Sequence, residues 1–184
     1  MDDDELLRRC QQGDDAALTQ LIQRFEGRLF RLAFRVLQDA ARAEDATADA
    51  LATVWAKCHS WRLEAAAATW IQQVAWRVVL DHHRRRRHWW RFWEGTSDEQ
   101  VSDDNPAAQA AEADEQRHRQ ARLAAAMSQL PAEDRALIHL HYFEEQSLAE
   151  IAQVLQVSRD VLKMRLSRAR QKLRVMWGEN DETE

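Results

Sequence analysis

The chain has 184 residues, of which 45% are hydrophobic, with four glycines, two prolines and a formal net charge of −5. That length holds one or two small packed domains, and scarce glycine and proline beside abundant Ala, Leu, Gln and Arg predict an all-α fold. No run of about 18 apolar residues occurs, and the start Met1-Asp2-Asp3-Asp4-Glu5 does not read as a secretory signal. The expectation is a cytoplasmic chain that does not itself enter a membrane.

Helical pattern runs from Glu5 to Leu37 with one break at Gly13-Asp14, where Gly can end one helix and Asp can cap the next. Leu18, Leu21, Ile22, Phe25, Leu29, Leu32, Ala33 and Val36 make a stripe that must face a core. A third helix, about Arg42 to Lys57, turns Ala43, Ala46, Thr47, Ala50, Leu51, Val54 and Trp55 to one side. Glu44, Asp45 and Asp49 stand near its start, where carboxylates also suit the helix dipole. Cys10 and Cys58 sit in these apolar patterns without CxxC spacing, so neither a disulfide nor a metal site is expected.

His59 to Ala65 is a break, and Ala66 to about Arg87 is the next helix, with Trp70, Ile71, Val74, Val78 and Asp81 at helical spacing. It runs into Arg84 to Trp93, RRRRHWWRFW, in which arginines alternate with indoles. Arginine suits phosphate and indole suits unpaired bases, but core aromatics or a partner patch would have the same composition, and the role of Trp89, Trp90 and Trp93 stays open. Residues 94–114 read as a flexible acidic linker.

Helical pattern returns near Glu115 to Gln129, stops at Leu130-Pro131 and restarts with Pro131 suited to a first turn. It continues through Leu137, Ile138, Leu140, His141 and Tyr142 to Phe143. Ser147 with Glu150 forms a capping box, followed by Leu148, Ile151, Ala152 and Leu155 at helical spacing. After Gln156-Val157, Ser158 can cap a second helix whose apolar stripe is Leu162, Leu166, Ala169 and Leu173. The tail, Gly178 to Glu184, is acidic. Two helices joined by so short a turn predict a helix-turn-helix. The second is basic on its remaining faces through Arg159, Lys163, Arg165, Arg168, Arg170, Lys172 and Arg174 against Asp160, as suits a groove lined with phosphates.

The net charge hides a segregation. Ala75 to Arg91 holds six arginines and one acid, Glu94 to Gln116 holds eight acids and no Lys or Arg, and Val157 to Met176 holds seven basic residues and one acid. Two basic blocks around an acidic connector suggest two nucleic-acid-facing surfaces, restrained until something positions them. A metal enzyme is a poor rival. Neither His82-His83 nor His139 with His141 has the i, i+4 spacing of a helical metal site, and there is no glycine-rich phosphate loop. No catalytic residue, metal, cofactor or small-molecule substrate is expected. A stand-alone helix-turn-helix regulator is the other rival, but it leaves the first basic block without a role.

The chain resembles the extracytoplasmic-function (ECF) sigma factors of bacterial RNA polymerase. In the C-terminal half the resemblance rests on Leu130-Pro131, Tyr142-Phe143, Ser147-Leu148-Ala149-Glu150-Ile151-Ala152, Val161 to Arg170, and Lys172-Leu173. In the N-terminal half it rests on Gly13-Asp14 with Ala17, Ala43-Glu44-Asp45 leading to Val54-Trp55, Thr69-Trp70-Ile71 leading to Val74-Ala75, and Leu80-Asp81-His82. It implies region 2 over residues 1–93, the linker, region 4 over 115–177 and the tail.

The resemblance also implies roles and partners. Glu44, Asp45, Asp49 and Thr53 would dock on the clamp helices of the core polymerase. Trp61, Arg62, Trp70, Trp76, Arg77, Arg84 and Arg85 would recognise and melt the minus-ten element of promoter DNA. Ser158, Arg159, Asp160, Lys163, Met164, Arg165, Ser167 and Arg168 would read the minus-thirty-five element. The polymerase flap and an anti-sigma factor are implied as further partners. The chain departs from the family pattern at Ala48-Asp49, where Gln-Glu is common, and at Ala75-Trp76-Arg77, where Ala-Arg-Asn is usual. Gln156 stands where Gly is common in the turn, and a left-handed backbone there costs Gln about 1 kcal/mol more than Gly.

Overall fold

A computed structural model describes residues 2–92 and 122–178. Helix α1, Asp3–Gln11, ends where Gly13 takes φ +81°, which lets the Gly13 and Asp14 N–H groups turn back to the Cys10 and Arg9 carbonyls at 3.0 and 3.1 Å. Asp14 then accepts the Ala16 and Ala17 N–H groups at 2.9 and 3.0 Å and starts α2, Asp15–Leu37. Left-handed Gln38 closes α2, and the Asp39 carboxylate, accepting from Arg42 N–H at 3.0 Å, opens α3, Ala40–Lys57. That start is two residues before the expected one, because the capping side chain is Asp39.

A 3-10 turn, Cys58–Ser60, and an irregular loop lead to α4, Ala67–Phe92, which runs beyond its expected end at Arg87. The start of α4 lacks a local capping side chain. The Asp4 carboxylate from α1 supplies one, accepting the Ala67 N–H at 2.7 Å. Leu6, Leu7, Leu21, Phe25, Leu29, Val54 and Ile71 join α1 to α4 in one buried cluster. Cys10 and Cys58 are free thiols within it, and burial pushes both thiol pKa values up. Such thiols stay protonated and unreactive.

Residues 122–128 are helical (α5), followed by α6, Ala132–Ile138, with Pro131 at the position just before its first turn. The expected continuous helix to Phe143 instead widens into a π-helical turn over His139–Phe143. The Ser147–Glu150 capping box is formed and opens α7, Leu148–Leu155; α8 is Arg159–Gly178. Trp93, the expected linker over 94–114, residues 115–121 and the tail from residue 179 lie outside the described residues, as do the side chains of Trp89 and Trp90.

The two halves share a core. Leu32, Val36, Trp76 and Val79 from the N-terminal half lie in one buried cluster with Met127, Leu137, Leu140, Ile151, Val154 and Leu162. This corrects the expected α4 stripe. Asp81 is exposed and Trp70 and Val78 are only half-buried, whereas Gln72, Trp76 and Val79 are buried. The physical reason is that α4 packs on α3 along one face and on α7 along another, so a single-face reading finds Ile71 and Val74 but not Gln72, Trp76 and Val79.

Candidate nucleic-acid interface

The helix-turn-helix is set by three local devices. Ser147 and Glu150 cap α7 reciprocally, with Ser147 N–H donating to the Glu150 carboxylate at 2.8 Å and Glu150 N–H to Ser147 Oγ at 3.3 Å. These bonds hold the Glu150 carboxyl below its usual range. Gln156 takes φ +57°, the left-handed turn for which Gly is better suited. Ser158 Oγ accepts the Val161 N–H at 3.4 Å and begins α8.

In α8 the side chains divide by face. Leu162, Leu166 and Ala169 are buried and Leu173 is half-buried, as their spacing predicts. Ser158, Arg159, Asp160, Lys163, Met164, Ser167 and Arg168 are all exposed, and Met164, an unbranched apolar side chain at 53% exposure, stands among charges. Arg165 is half-buried. It lies close enough to Asp134 of α6 to pull that carboxyl's pKa down, although burial wins and the net shift is upward. Arg168 and Lys172 of the same helix pull on that carboxyl as well, while the Lys163 and Arg168 side chains remain exposed.

The loop before α4 is braced from beneath. Gln11 donates to both the Cys58 and Trp61 carbonyls at 2.9 Å, and the Trp61 indole N–H donates to the Ala65 carbonyl at 2.9 Å. Along α4, Arg77, Arg84 and Arg85 are exposed and Trp70 is half-buried; Arg62 in the loop is exposed. On α3, Glu44, Asp45 and Asp49 are exposed and Thr53 is half-buried, its hydroxyl donating to the Asp49 carbonyl at 2.7 Å. Asp49 Oδ2 lies 2.9 Å from His82 Nε2, and Arg42 donates to the His82 carbonyl at 2.6 Å, so the acidic face of α3 is fixed against the basic part of α4. Among the described residues no cluster of His, Cys, Asp and Glu could hold a metal ion, and no helix is long and apolar enough to cross a membrane.

Residues 21–89 match the sigma-70 region 2 family and residues 120–173 match sigma-70 region 4. ECF RNA polymerase sigma factor SigM of Mycobacterium tuberculosis is 28% identical over 176 residues, covering 96% of this chain and 85% of that protein. The ECF sigma factor RpoE of Cereibacter sphaeroides is 29% identical over 168 residues, covering 88% and 86%. The chain belongs to the ECF sigma factors of bacterial RNA polymerase. CnrH, solved in complex with the cytosolic domain of CnrY, has the same fold, with a TM-score of 0.71 at 21% identity over 97% of this chain and 99% of that one. The sigma factor RpoE of Bartonella quintana, solved with the anti-sigma factor NepR, gives a TM-score of 0.69 at 21% identity over 87% and 96%. A stand-alone helix-turn-helix regulator has no counterpart of region 2 and is set aside.

Two of this sigma factor's expected minus-ten residues are corrected by their burial. Trp61 is 5% exposed with its indole bonded inside the loop, and Trp76 is 4% exposed in the core shared with the C-terminal half. Neither offers a free ring face here. Their physical role is to brace, Trp61 holding the loop and Trp76 holding α4 against the C-terminal half. Leu63 lies in the same loop and was not among the expected site residues. It is 58% exposed at the tip of the braced loop, with φ +63°. A bulky residue held in a left-handed conformation and facing solvent is an unusual expense at a surface. The signal in the sequence was faint, since Arg62-Leu63-Glu64 has no turn-forming residue.

Proposed function

We propose that this sigma factor directs core polymerase to promoters by two separate DNA contacts and opens the duplex at one of them. In this reading residues 1–93 form the polymerase-docking and minus-ten unit, 94–114 the connector, 115–177 the minus-thirty-five reader and 178–184 a tail. Ser158, Arg159, Asp160, Lys163, Met164, Arg165, Ser167 and Arg168 enter the major groove. Arg62, Arg77, Arg84 and Arg85 hold phosphates near the minus-ten element, where Trp70 and Leu63 present the apolar surface on which unpaired bases settle. Glu44, Asp45, Asp49 and Thr53 meet the clamp helices.

The observation that carries the reading is the division of α8, a helix buried along one stripe with an exposed, largely basic face opposite. An apolar groove of about 570 Å³ between α5, the π-helical turn and α8, floored by Ile138 and Leu173 and rimmed by Arg170 and Arg174, suits the polymerase flap. The protein acts as a non-catalytic subunit in the cytoplasm. RpoE of B. quintana is seen with an anti-sigma factor, and a partner of that kind belongs to the same proposal. In vitro transcription tests it. Run-off from a genomic fragment pool should appear only when this chain is added to purified core polymerase, and absence of run-off from every fragment overturns the reading.

A further inference from the structure

The loop between the 3-10 turn and α4 is tied at both ends to α1. At its start Gln11 uses both amide hydrogens, donating to the Cys58 and Trp61 carbonyls at 2.9 Å each. Beside that anchor Cys58 Sγ lies 3.9 Å from the Cys10 carbonyl. At the far end the Asp4 carboxylate accepts the Ala67 N–H at 2.7 Å. Asp4 and Gln11 are two turns apart in α1, so they share one face and stand about 10 Å apart along its axis. The chain from Trp61 to Ala67 could reach about 20 Å if extended, and a loop tied at both points therefore bows outward. Leu63 is at its tip, 58% exposed and held at φ +63°. Helix α1 itself lies before residues 21–89, the stretch that matches the region 2 family.

We propose that Asp4 and Gln11 are positioning residues for base selectivity at the minus-ten element, acting through the loop whose ends they fix. The proposal rests on the reading above, in which Arg62 and Leu63 meet the unpaired strand. Discrimination between bases is a difference of affinities, and a surface held in one geometry before the strand arrives rejects a base that a loose loop would accommodate. Released from α1, Leu63 leaves its left-handed conformation and the tip adapts to whichever base is offered. Selectivity falls, while the grip of α8 on the minus-thirty-five element is untouched.

Run-off transcription with core polymerase reads this directly, on one promoter from the genomic pool with each of the four bases placed in turn at each minus-ten position. Where the wild type discriminates most, Gln11→Leu and Asp4→Leu should lower the ratio of best to worst base about tenfold, with helical content intact. Asp4→Asn keeps an oxygen acceptor for the Ala67 N–H and should hold the ratio near the wild-type value. Binding to a minus-thirty-five duplex should be the same in all three. An equal loss of run-off on every promoter with the ratio intact, or the same fall in Asp4→Asn as in Asp4→Leu, overturns the positioning role. Leu63→Ala separates that role from the loop reading beneath it. A ratio lowered by Leu63→Ala but not by Gln11→Leu and Asp4→Leu keeps the loop at the minus-ten element and removes α1 from its control. A ratio lowered by none of the three removes the loop from that element.

Discussion

Helices α4 and α8 are both basic and both proposed to meet DNA, yet they are built differently. Helix α8 buries one stripe, Leu162, Leu166 and Ala169, flanked by the half-buried Val161 and Arg165, and leaves its opposite face to solvent. Helix α4 buries two. Ile71, Val74 and Ala75 face the N-terminal cluster, while Trp76 and Val79 face the core shared with the C-terminal half. A reader of duplex DNA needs only to be rigid and exposed, and one buried face achieves that. A helix held from two sides can change what it exposes when one neighbour leaves, which suits a step that follows docking on polymerase.

The sharpest way to break this contrast is at adjacent residues of α4. Trp76→Ala should cost about 3–5 kcal/mol of stability, because it empties a site lined from both halves. Arg77→Ala, one residue on and exposed, should stay within about 0.5 kcal/mol while weakening promoter opening. Urea unfolding of the two variants measures the difference. Equal stabilities would mean that the second face of α4 contributes little.

Acid should loosen the same junction. The His139 imidazole is buried in the π-helical turn, and its pKa falls from 6.5 to about 4. Burial is the main cause. Glu144 pulls the value up, and Arg35, Arg31 and Arg28 from α2 push it down. Between these two values the unfolded chain binds the proton and the folded chain does not. The contribution is therefore complete above pH 6.5 and is lost as pH falls toward 4, a change of roughly 3 kcal/mol. Glu144 acts in the same direction. Burial raises its pKa, but the bonds from Arg31 and Arg28 outweigh that and hold it below 4.5, so its share is lost as pH drops further. Denaturation between pH 7 and pH 4 should show the loss, and His139→Leu should flatten the upper part of the curve. A wild-type profile level down to pH 5 would contradict the buried neutral imidazole.

How much of this was legible beforehand follows from the same contrast. The helix-turn-helix could be read because each of its devices is local: Ser147 with Glu150, the Leu162, Leu166 and Ala169 spacing, and Ser158 as a cap. The Gly13-Asp14 break was legible for the same reason. The burial of Trp76 and Gln72 was not, because it depends on α7 arriving from about 75 residues away, and periodicity carries no information about a second partner. The resemblance placed Trp76 among the minus-ten residues because a motif records the ring and not what covers it, here the core shared with the C-terminal half. Glu144 read as part of a polar turn, since nothing near it in sequence tells that Arg28 and Arg31 of α2 lie opposite.

For α8 the comparison is sharpened on DNA. Lys163→Ala and Arg168→Ala should each weaken binding to a minus-thirty-five duplex by about 1 kcal/mol, and each should lower the salt slope by about 1 if it contacts a phosphate. Stability should stay within about 0.5 kcal/mol, because both side chains are exposed. Fluorescence anisotropy at several salt concentrations provides both quantities. Unchanged affinity and slope in both variants would remove the basic face of α8 from the groove.

The smallest expected effect tests the turn that aims α8. Gln156 sits at φ +57° and its N–H donates to the Ala152 carbonyl, closing α7. A side chain there costs about 1–2 kcal/mol relative to a right-handed residue, whereas glycine bears no such penalty but loses about 0.5–1 kcal/mol more chain entropy on folding. Gln156→Gly should therefore stabilise the protein by about 0.5–1 kcal/mol without changing DNA affinity, since the angle between α7 and α8 is already the one that a glycine would adopt. Gln156→Pro removes the N–H and forbids the positive φ, so it should misalign α8 and abolish minus-thirty-five binding before it unfolds the N-terminal half. If the Gly variant instead loses affinity, Gln156 contributes a contact of its own, and the strain at this position is retained for recognition.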